Sequence, residues 1–497
     1  MNTDNNIIIN TSDVMSENPV QREERTFSKA EKIFSFVFFA LAFCFVKSAV
    51  FDFAGYVTTL SFIAVISSAL IFFKLGKHKI NKLSGTIFAV LYIFSFVFSI
   101  TDNNFIKFLT SVFIIAGITV LAYAVGNKSE KINRFLPYVI LKSALEYPLA
   151  KFDSMIYSAV SIFKKKKFGK NTAFIFIGLL IACPLTLIVG ALLMSADKGV
   201  KNLITSIFSF IIPDNIFEIC VETAFAISIG SYLFGAVYAA LHKENLKPLD
   251  EFNCLKRLNS AKVFNNIIIY TAVTPICLLY IIFFCSQANY FLSAFSGILP
   301  EGYLYSEYAR SGFFELFAIT IINLIVIALA NLLAEKSGEE KTAVLKIYSI
   351  ILCIFTLLMI AVAISKMCLY ISACGLTRRR LYTSWFMILE AVFFILIIVK
   401  QIRFSFNISK WGIIAFTFLF GVLCFSRPDA IIASFNINMY ESGYHKEIDK
   451  QELSGLSADG QLIALQKGVI NTSAVDFDDS VINSNISVSI MNAQFNN

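Results

Sequence analysis

Acidic, aromatic and basic side chains are concentrated in two short segments that lie between long apolar runs. Glu307 and Arg310 are three residues apart, so on a helix their side chains can pair. Carboxylates beside arginines can hold a lipid phosphate or a sugar, or can support acid–base chemistry on a lipid-linked substrate. The candidate site residues of these two segments are Glu307, Tyr308, Arg310, Glu315, Arg378, Arg379 and Arg380.

Other chemical signatures are scarce in the sequence. The three histidines, His78, His242 and His445, all fall in predicted loops, and no Cys/His cluster has the spacing of a zinc site. The chain has no glycine-rich phosphate loop, no HExxH motif and no activated nucleophile. We therefore predict no metal site and no cofactor, leave the catalytic residues unknown, and favour a protein that is not an enzyme while keeping the enzyme alternative open.

The elements that must position these residues follow from the composition. The chain has 497 residues, of which 57% are hydrophobic and only 15% are charged. Soluble domains carry about 25% charged residues, so the composition excludes soluble globular and disordered classes. The net charge of +8 comes mainly from short loops between apolar runs, which indicates membrane topology and not nucleic-acid binding.

Long apolar runs recur along the chain, and a bilayer requires roughly 17–25 apolar residues per helix. The sequence predicts an all-α, polytopic integral membrane protein with about eleven transmembrane helices. The predicted spans are 33–51, 56–73, 84–100, 105–125, 172–194, 217–241, 265–286, 313–333, 344–365, 384–399 and 411–425.

The distribution of basic residues predicts the orientation of these spans. With a cytoplasmic N-terminus, the inside segments hold 28 Lys and Arg residues and the outside segments hold 11. Because cytoplasmic loops are enriched in Lys and Arg, this bias favours an N-in, C-out topology. The exception is segment 366–383, which carries the arginine trio and is either outside or re-entrant.

The domain organisation predicted from the spans has five parts. Residues 164–167 are four consecutive lysines, Lys164–Lys167, in a segment that also carries apolar residues, so we predict contact with anionic lipid there. The parts are a disordered cytoplasmic leader (1–32), a four-helix N-terminal membrane unit (33–125), a cytoplasmic interfacial amphipathic and basic segment (126–171), a seven-helix membrane domain (172–425) and an extracytoplasmic tail (426–497).

Polar residues within the spans suggest further constraints. Charges are costly inside a bilayer, so Glu222, Glu315 and Glu390 are informative positions. Asn323 and Asn331 are interpreted as interhelical hydrogen-bonding residues. An arginine trio on the outer side requires compensation, and we predict that Glu315 or Glu307 lies in contact range of it, with an anionic ligand such as a lipid headgroup as the alternative.

Three ordered segments carry a resemblance to a known family. They are Tyr305-Ser-Glu-Tyr-Ala-Arg-Ser-Gly-Phe-Phe-Glu-Leu316; Met367-Cys-Leu-Tyr370 with Gly375-Leu-Thr-Arg-Arg-Arg-Leu-Tyr382; and Pro428-Asp-Ala-Ile-Ile-Ala-Ser-Phe-Asn436 with Asp449 and Leu456-Ser-Ala-Asp459. Together they resemble the multi-pass membrane family called domain of unknown function 4173, which is related to domain of unknown function 4153. The resemblance covers roughly residues 170–465. It implies a bacterial cytoplasmic membrane protein and no particular activity.

Three functions remain open at this level. The first is transport or solute binding, or another envelope-associated role in the membrane. The second is a structural or sensory membrane protein with an extracytoplasmic partner. The third is a lipid- or glycan-modifying enzyme with an outward active site. An ordered tail docked over the bundle would favour the second function, and a cavity lined by the candidate site residues would favour the third.

Overall fold

The structure is a computed structural model that describes most of the chain. It describes, together with a few single residues between 182 and 262, the segments 26–51, 55–132, 134–163, 214–242, 264–286, 313–334, 343–403, 405–475 and 484–495. Within these segments the chain is helical and forms no β-strand. The predicted all-α class is therefore confirmed for the described residues.

The α-helices are labelled in chain order. They are α1 (Lys29–Phe45), α2 (Tyr56–Leu75), α3 (Lys82–Ser95), α4 (Val97–Ile100), α5 (Asn104–Gly126), α6 (Leu136–Ala150), α7 (Ser154–Phe163), α8 (Asp214–Leu241), α9 (Asn266–Ser286), α10 (Phe313–Leu333), α11 (Ala343–Cys374), α12 (Arg378–Ile402), α13 (Ile408–Phe425), α14 (Pro428–Glu441), α15 (Lys450–Ser454), α16 (Ala458–Gln466) and α17 (Ile486–Phe495). A π-helical stretch, Val46–Phe51, continues α1.

Among the described residues, nine helical segments are long and apolar enough to cross a membrane. They comprise α1 with its extension, α2, α3 joined to α4, α5, most of α8, α9, α11, α12 and α13. Of the two other predicted spans, 313–333 is α10, whose searched part is a shorter apolar helix, Phe317–Leu333. Span 172–194 lies outside the described residues except for single positions. The protein is thus a multi-pass membrane protein, and the count of eleven remains a prediction.

The first hydrophobic core joins helices that are distant in sequence. Phe38 of α1 and Phe72 of α2 both pack against Phe234 of α8, with ring centroids 5.9 Å apart in each pair. At the other side of the same core, Phe94 of α3 stacks on Phe420 of α13. One core therefore contains side chains from the predicted 33–125 unit and from the predicted 172–425 domain.

Helices α6 and α7 pack against this core. Pro137 lies in the first turn of α6, and Pro148 lies in its last turn, two residues before the helix ends at Ala150. Tyr232 of α8 donates a hydrogen bond to the carbonyl of Ala144 at 2.7 Å, and Met155 of α7 is buried in the first core. The break near Pro148 agrees with the sequence, while an interfacial position for residues 126–171 remains a prediction.

The contact between α6 and α8 depends on Gly235. A Cβ atom at this position would lie 2.7 Å from the carbonyl oxygen of Pro148 and 3.0 Å from that of Lys151. We expect Gly235→Ala to destabilise the protein by about 1–3 kcal/mol, because backbone atoms cannot move aside cheaply. Thermal unfolding in detergent measures the effect. The matched control is Gly85→Ala in α3, where nothing lies within 4 Å, and equal stability of the two variants would refute the close approach.

A second hydrophobic core forms between α9, α10, α11 and α12. Asn323 of α10 donates a hydrogen bond to Thr356 of α11 at 2.8 Å and accepts one from Tyr280 of α9. Asn331 donates one to Ser349 at 3.3 Å. The predicted interhelical role of both asparagines is confirmed.

The chain after α13 forms a third core of its own. Helices α14 to α17 bury side chains such as Ile432, Leu462 and Met491 against one another and against Leu376, which lies between α11 and α12. We call these four helices the cap. The cap sits at the end of the bundle where α2, α5 and α12 begin, because residues next to each of those starts bond to it.

Candidate functional site at the capped end of the bundle

The loop between α11 and α12 is bonded to the cap through a single asparagine. Asn436 of α14 accepts a hydrogen bond from the backbone N–H of Leu376 at 2.7 Å and donates one to its carbonyl at 2.9 Å. Gly375 has a φ of +79°, and a Cβ there would lie 2.9 Å from the Asn436 side chain. The loop therefore requires glycine, since a left-handed backbone disfavours side chains. Thr377 then caps α12 by accepting from the N–H of Arg380.

Arg378, the first residue of α12, forms a bidentate ion pair with the cap. Its Nε and Nη2 atoms donate to the two carboxylate oxygens of Asp429 at 2.9 and 2.7 Å. Asp429 is fully buried and also accepts from the backbone N–H of Ser457 at 2.9 Å. Bidentate guanidinium–carboxylate pairs fix geometry as well as charge, so this contact sets the position of α14 relative to α12.

A second buried carboxylate, Asp459 of α16, joins four parts of the chain. One oxygen accepts from the Thr101 hydroxyl and from the N–H of Asp102 at 2.9 Å. The other accepts from Nε of Arg427 at 3.2 Å and from the Ser487 hydroxyl. Because Asp459 is fully buried, these four donors replace its hydration shell.

Asp102, in the loop between α4 and α5, completes the network. It accepts from Nζ of Lys107 at 2.9 Å and from the amide of Asn485 at 2.8 Å, and it lies 3.3 Å from the N–H of Ala458. The three carboxylates are matched by three cations, Lys107, Arg378 and Arg427. We call these six charged residues the clamp, and they are Asp102, Lys107, Arg378, Arg427, Asp429 and Asp459.

The clamp holds structure and offers little for catalysis. Each of its carboxylates is bonded to donors of the chain itself, and the two most buried ones have no exposed surface. Within the described residues, no three side chains of His, Cys, Asp or Glu are grouped so that they could hold a metal ion. Balanced buried ion pairs of this kind fix one arrangement of the groups they join.

The arginine trio does not act as a unit. Arg378 belongs to the clamp, whereas Arg380 donates to the carbonyls of Cys374 and Gly375 and lies 3.8 Å from the ring centroid of Tyr370. Arg379 is exposed. The negative charge expected to compensate the arginine trio therefore comes in part from Asp429 of the cap. Asp429 was not among the candidate site residues.

The other four candidate site residues come from the segment that precedes α10 and from its first turn. Glu307, Tyr308 and Arg310 lie outside the described residues, and Glu315 lies in α10 but its side chain is outside them too. Contact between Glu307 or Glu315 and the trio remains a prediction.

Several residues of the site were not candidate site residues, although they lie in the motifs that carry the family resemblance. Asp429, Asn436 and Asp459 all belong to the third resemblance segment, and Arg378 belongs to the second. Their side chains bond these two segments to each other and to the loop after α4. The Asp residues within these quoted tail motifs were the signal, but their partners lie up to 358 residues away.

Two carboxyl groups of the cap have pKa values that are shifted in opposite directions. Burial by itself raises the pKa of Asp429, but hydrogen bonds from Arg378 and Ser457 outweigh burial and leave this pKa below its ordinary value. In Glu452 of α15, burial first and the charge of Asp449 second raise the pKa. The stabilisation from Glu452 is thus lost as pH rises through its folded pKa, and that from Asp429 is lost as pH falls.

We expect acid to release α14 from α12. The Asp429 contribution is fully present above its unfolded pKa of about 3.9 and declines as pH falls through the lower folded pKa. Hydrogen exchange of α14 amides, measured between neutral pH and pH about 3, should show protection lost at the acid end. Asp429→Asn should lack this acid transition, and an unchanged transition in that variant would contradict the assignment to Asp429.

A separate site lies beside the second core, where α10, α11 and α12 form a half-open cavity of about 310 Å³. Its walls are apolar except for Thr320, Thr383, Tyr382 and Glu390. Glu390 is a carboxyl group near the middle of α12, and the Thr320 hydroxyl lies 3.4 Å from it. The other lining residues are Phe317, Met359, Ile360, Ala363, Phe386 and Met387.

Comparison with known proteins assigns the chain to a family. A family model described as "Domain of unknown function (DUF4153)" matches residues 87–466, which include every residue of the clamp. This family is the relative of domain of unknown function 4173, which the motifs resemble. The match begins at residue 87, whereas the resemblance was expected from about residue 170. Comparisons with curated proteins and with solved structures found no match. Because the matched region covers well over half of the chain, the chain belongs to the DUF4153 family.

Proposed function

We propose that the protein is an envelope-associated structural or sensory membrane protein whose docked cap contacts a partner outside the membrane. The observation that carries the proposal is the clamp, which fixes the cap on the bundle with buried ion pairs. A rigidly held domain presents one constant surface to a partner, whereas a tethered tail does not. Tyr444, with 63% of its side-chain surface exposed, lies on the free surface just after α14.

The proposal includes an orientation and a location. We infer that the cap is extracytoplasmic, the N-terminus is cytoplasmic, and the membrane is the bacterial cytoplasmic membrane. In support, the basic turn after α2, with Lys77 and Lys79, lies at the end of that helix opposite the cap. We also propose that Lys164–Lys167 bind anionic lipid on the cytoplasmic side, since clustered lysines are attracted to such headgroups.

Labelling in intact cells tests the orientation. In a cysteine-free background, single cysteines at positions 444 and 78 are exposed to a membrane-impermeant maleimide. We expect Tyr444→Cys to react in intact cells and His78→Cys to react only after permeabilisation. The reverse pattern would overturn the N-in, C-out assignment.

Photo-crosslinking tests the partner. A photoreactive phenylalanine analogue at position 444 should give a discrete protein adduct in cells. The control position is Phe418, which is 68% exposed on the membrane helix α13 and should give lipid adducts instead. The adduct at 444 should disappear when Arg378→Met weakens the clamp, and an adduct independent of the clamp would contradict a role for the docked cap.

Solute binding or transport is a second candidate, favoured by polar side chains that bond to neighbouring helices at three levels of α10. Thr320 faces Glu390, Asn323 bonds to Thr356, and Asn331 bonds to Ser349. These levels span eleven residues, or about 16 Å of helix. Pro275 lies inside the neighbouring helix α9 and removes one of its backbone hydrogen bonds. The enzyme alternative receives no comparable support, because Glu307, Tyr308 and Arg310 lie outside the described segments, as does the side chain of Glu315.

A further inference from the structure

The carboxyl group of Glu390 lies where a membrane helix does not ordinarily place one. It is twelve residues from the start of α12, about 18 Å along the helix, and thus near the middle of the span. A charged side chain at this depth is costly to insert into a bilayer. Such residues are retained mainly where they serve a ligand, an ion or a proton.

No cation among the described residues pairs with Glu390. Within the described part of the chain, its bonded side chain is the hydroxyl of Thr320, and it forms no ion pair there. Glu222 of α8, another membrane carboxyl group, is buried on the first-core side of the bundle and does not line the cavity. Among the described residues that line the cavity, Glu390 is therefore the acidic one.

The cavity walls add a second kind of recognition. Phe317, Phe386 and Tyr382 contribute aromatic rings to the lining, and the other apolar residues are aliphatic or carry a thioether. Aromatic faces attract cations, and the attraction grows when both groups are removed from water. A volume of about 310 Å³ lies at the small end of the range for ligand pockets.

We propose that this cavity binds a small lipophilic cation, an apolar body that carries an ammonium group, with Glu390 as its counter-charge. The site selects a lipophilic cation for two reasons. An anionic ligand would be repelled by the Glu390 carboxylate, and a strongly hydrated cation would have to give up its water without gaining polar contacts from the apolar walls. The inference rests on the solute-binding alternative above and names its ligand class. It requires neither the docked cap nor transport across the membrane.

Equilibrium dialysis of the detergent-solubilised full-length protein tests the proposal. The probes are phenyltrimethylammonium and its uncharged isostere tert-butylbenzene, which differ in one central atom. We expect Glu390→Gln to weaken binding of the cation at least about tenfold, or about 1.4 kcal/mol, and to change binding of the neutral isostere by less than about twofold. Glu222→Gln, the matched control, should leave both affinities unchanged.

A second variant separates the cavity from the charge. Ala363→Phe adds a ring to the lining and should reduce binding of both probes, while thermal unfolding shows that the variant is folded. The proposal is overturned if folded wild-type protein binds no cation, if Glu390→Gln retains the wild-type affinity, or if Glu222→Gln weakens binding equally. Absence of transport in vesicles would remove the transport function and leave the binding result intact.

Discussion

Replacing Asp459 with asparagine is expected to detach the cap, with a loss of about 3–5 kcal/mol in the free energy of cap unfolding. Each hydrogen bond to the two carboxylate oxygens of Asp459 is donated by its partner. The partners are Thr101, Asp102, Arg427 and Ser487. An asparagine must therefore point its NH₂ group at donors on one side or the other. It also leaves the guanidinium of Arg427 without its counter-charge. Hydrogen exchange of α16 and α17 amides measures the loss.

Asp449→Asn is the matched control for this substitution. Asp449 is exposed and caps α15 by accepting from the N–H of Glu452 at 2.9 Å. Asparagine caps helices about as well as aspartate, so we expect a change of at most a few tenths of a kcal/mol. If the two variants exchange at the same rate in α16 and α17, Asp459 does not hold the cap.

Replacing Arg378 with methionine should cost about 3 kcal/mol of cap stability. The substitution keeps the apolar stem but leaves Asp429, which is fully buried, without its cation. The expected cost is at the low end for a buried pair, because 41% of the arginine side chain is exposed. Limited proteolysis between α13 and α14, together with exchange of α14 amides, reports the released cap.

Two comparisons decide whether the effect comes from the ion pair. Lys467→Met removes a cap ion pair with Glu441 in which both side chains are 47% exposed, and it should change stability by no more than about 1 kcal/mol. In a double-mutant cycle, Asp429→Asn combined with Arg378→Met should cost less than the sum of the single changes. Simple additivity would show that the two residues are not coupled in solution.

The sequence predicted the class of protein and most of its membrane helices. In the described part of the chain, nine of the eleven predicted apolar runs correspond to helices long enough to span a membrane, since hydropathy over some twenty residues is a local property. The roles of Asn323 and Asn331 were also predictable, because a polar amide in a membrane helix must bond to a neighbouring helix. The family resemblance was visible in motifs of the loops and tail.

The candidate site was predicted only in part. Arg378 was selected for its charge, but its partner was expected in the segment before α10 and not in the tail. The partner is Asp429, and no periodicity or spacing connects positions 51 residues apart on different helices. Similarly, Glu390 was recognised as an intramembrane charge, but its place in a cavity depends on how α10, α11 and α12 pack.

What the sequence determined by itself was therefore local: the apolar spans and the residues too polar for their surroundings. Only the tertiary structure decided which carboxylate meets which cation, because a buried charge can be satisfied by any correctly placed donor along the chain. Asp459 shows the difference most clearly, since its partners come from the loop after α4, the start of α14 and the start of α17. Folding brings those groups together around a carboxylate that, once buried, requires all of them.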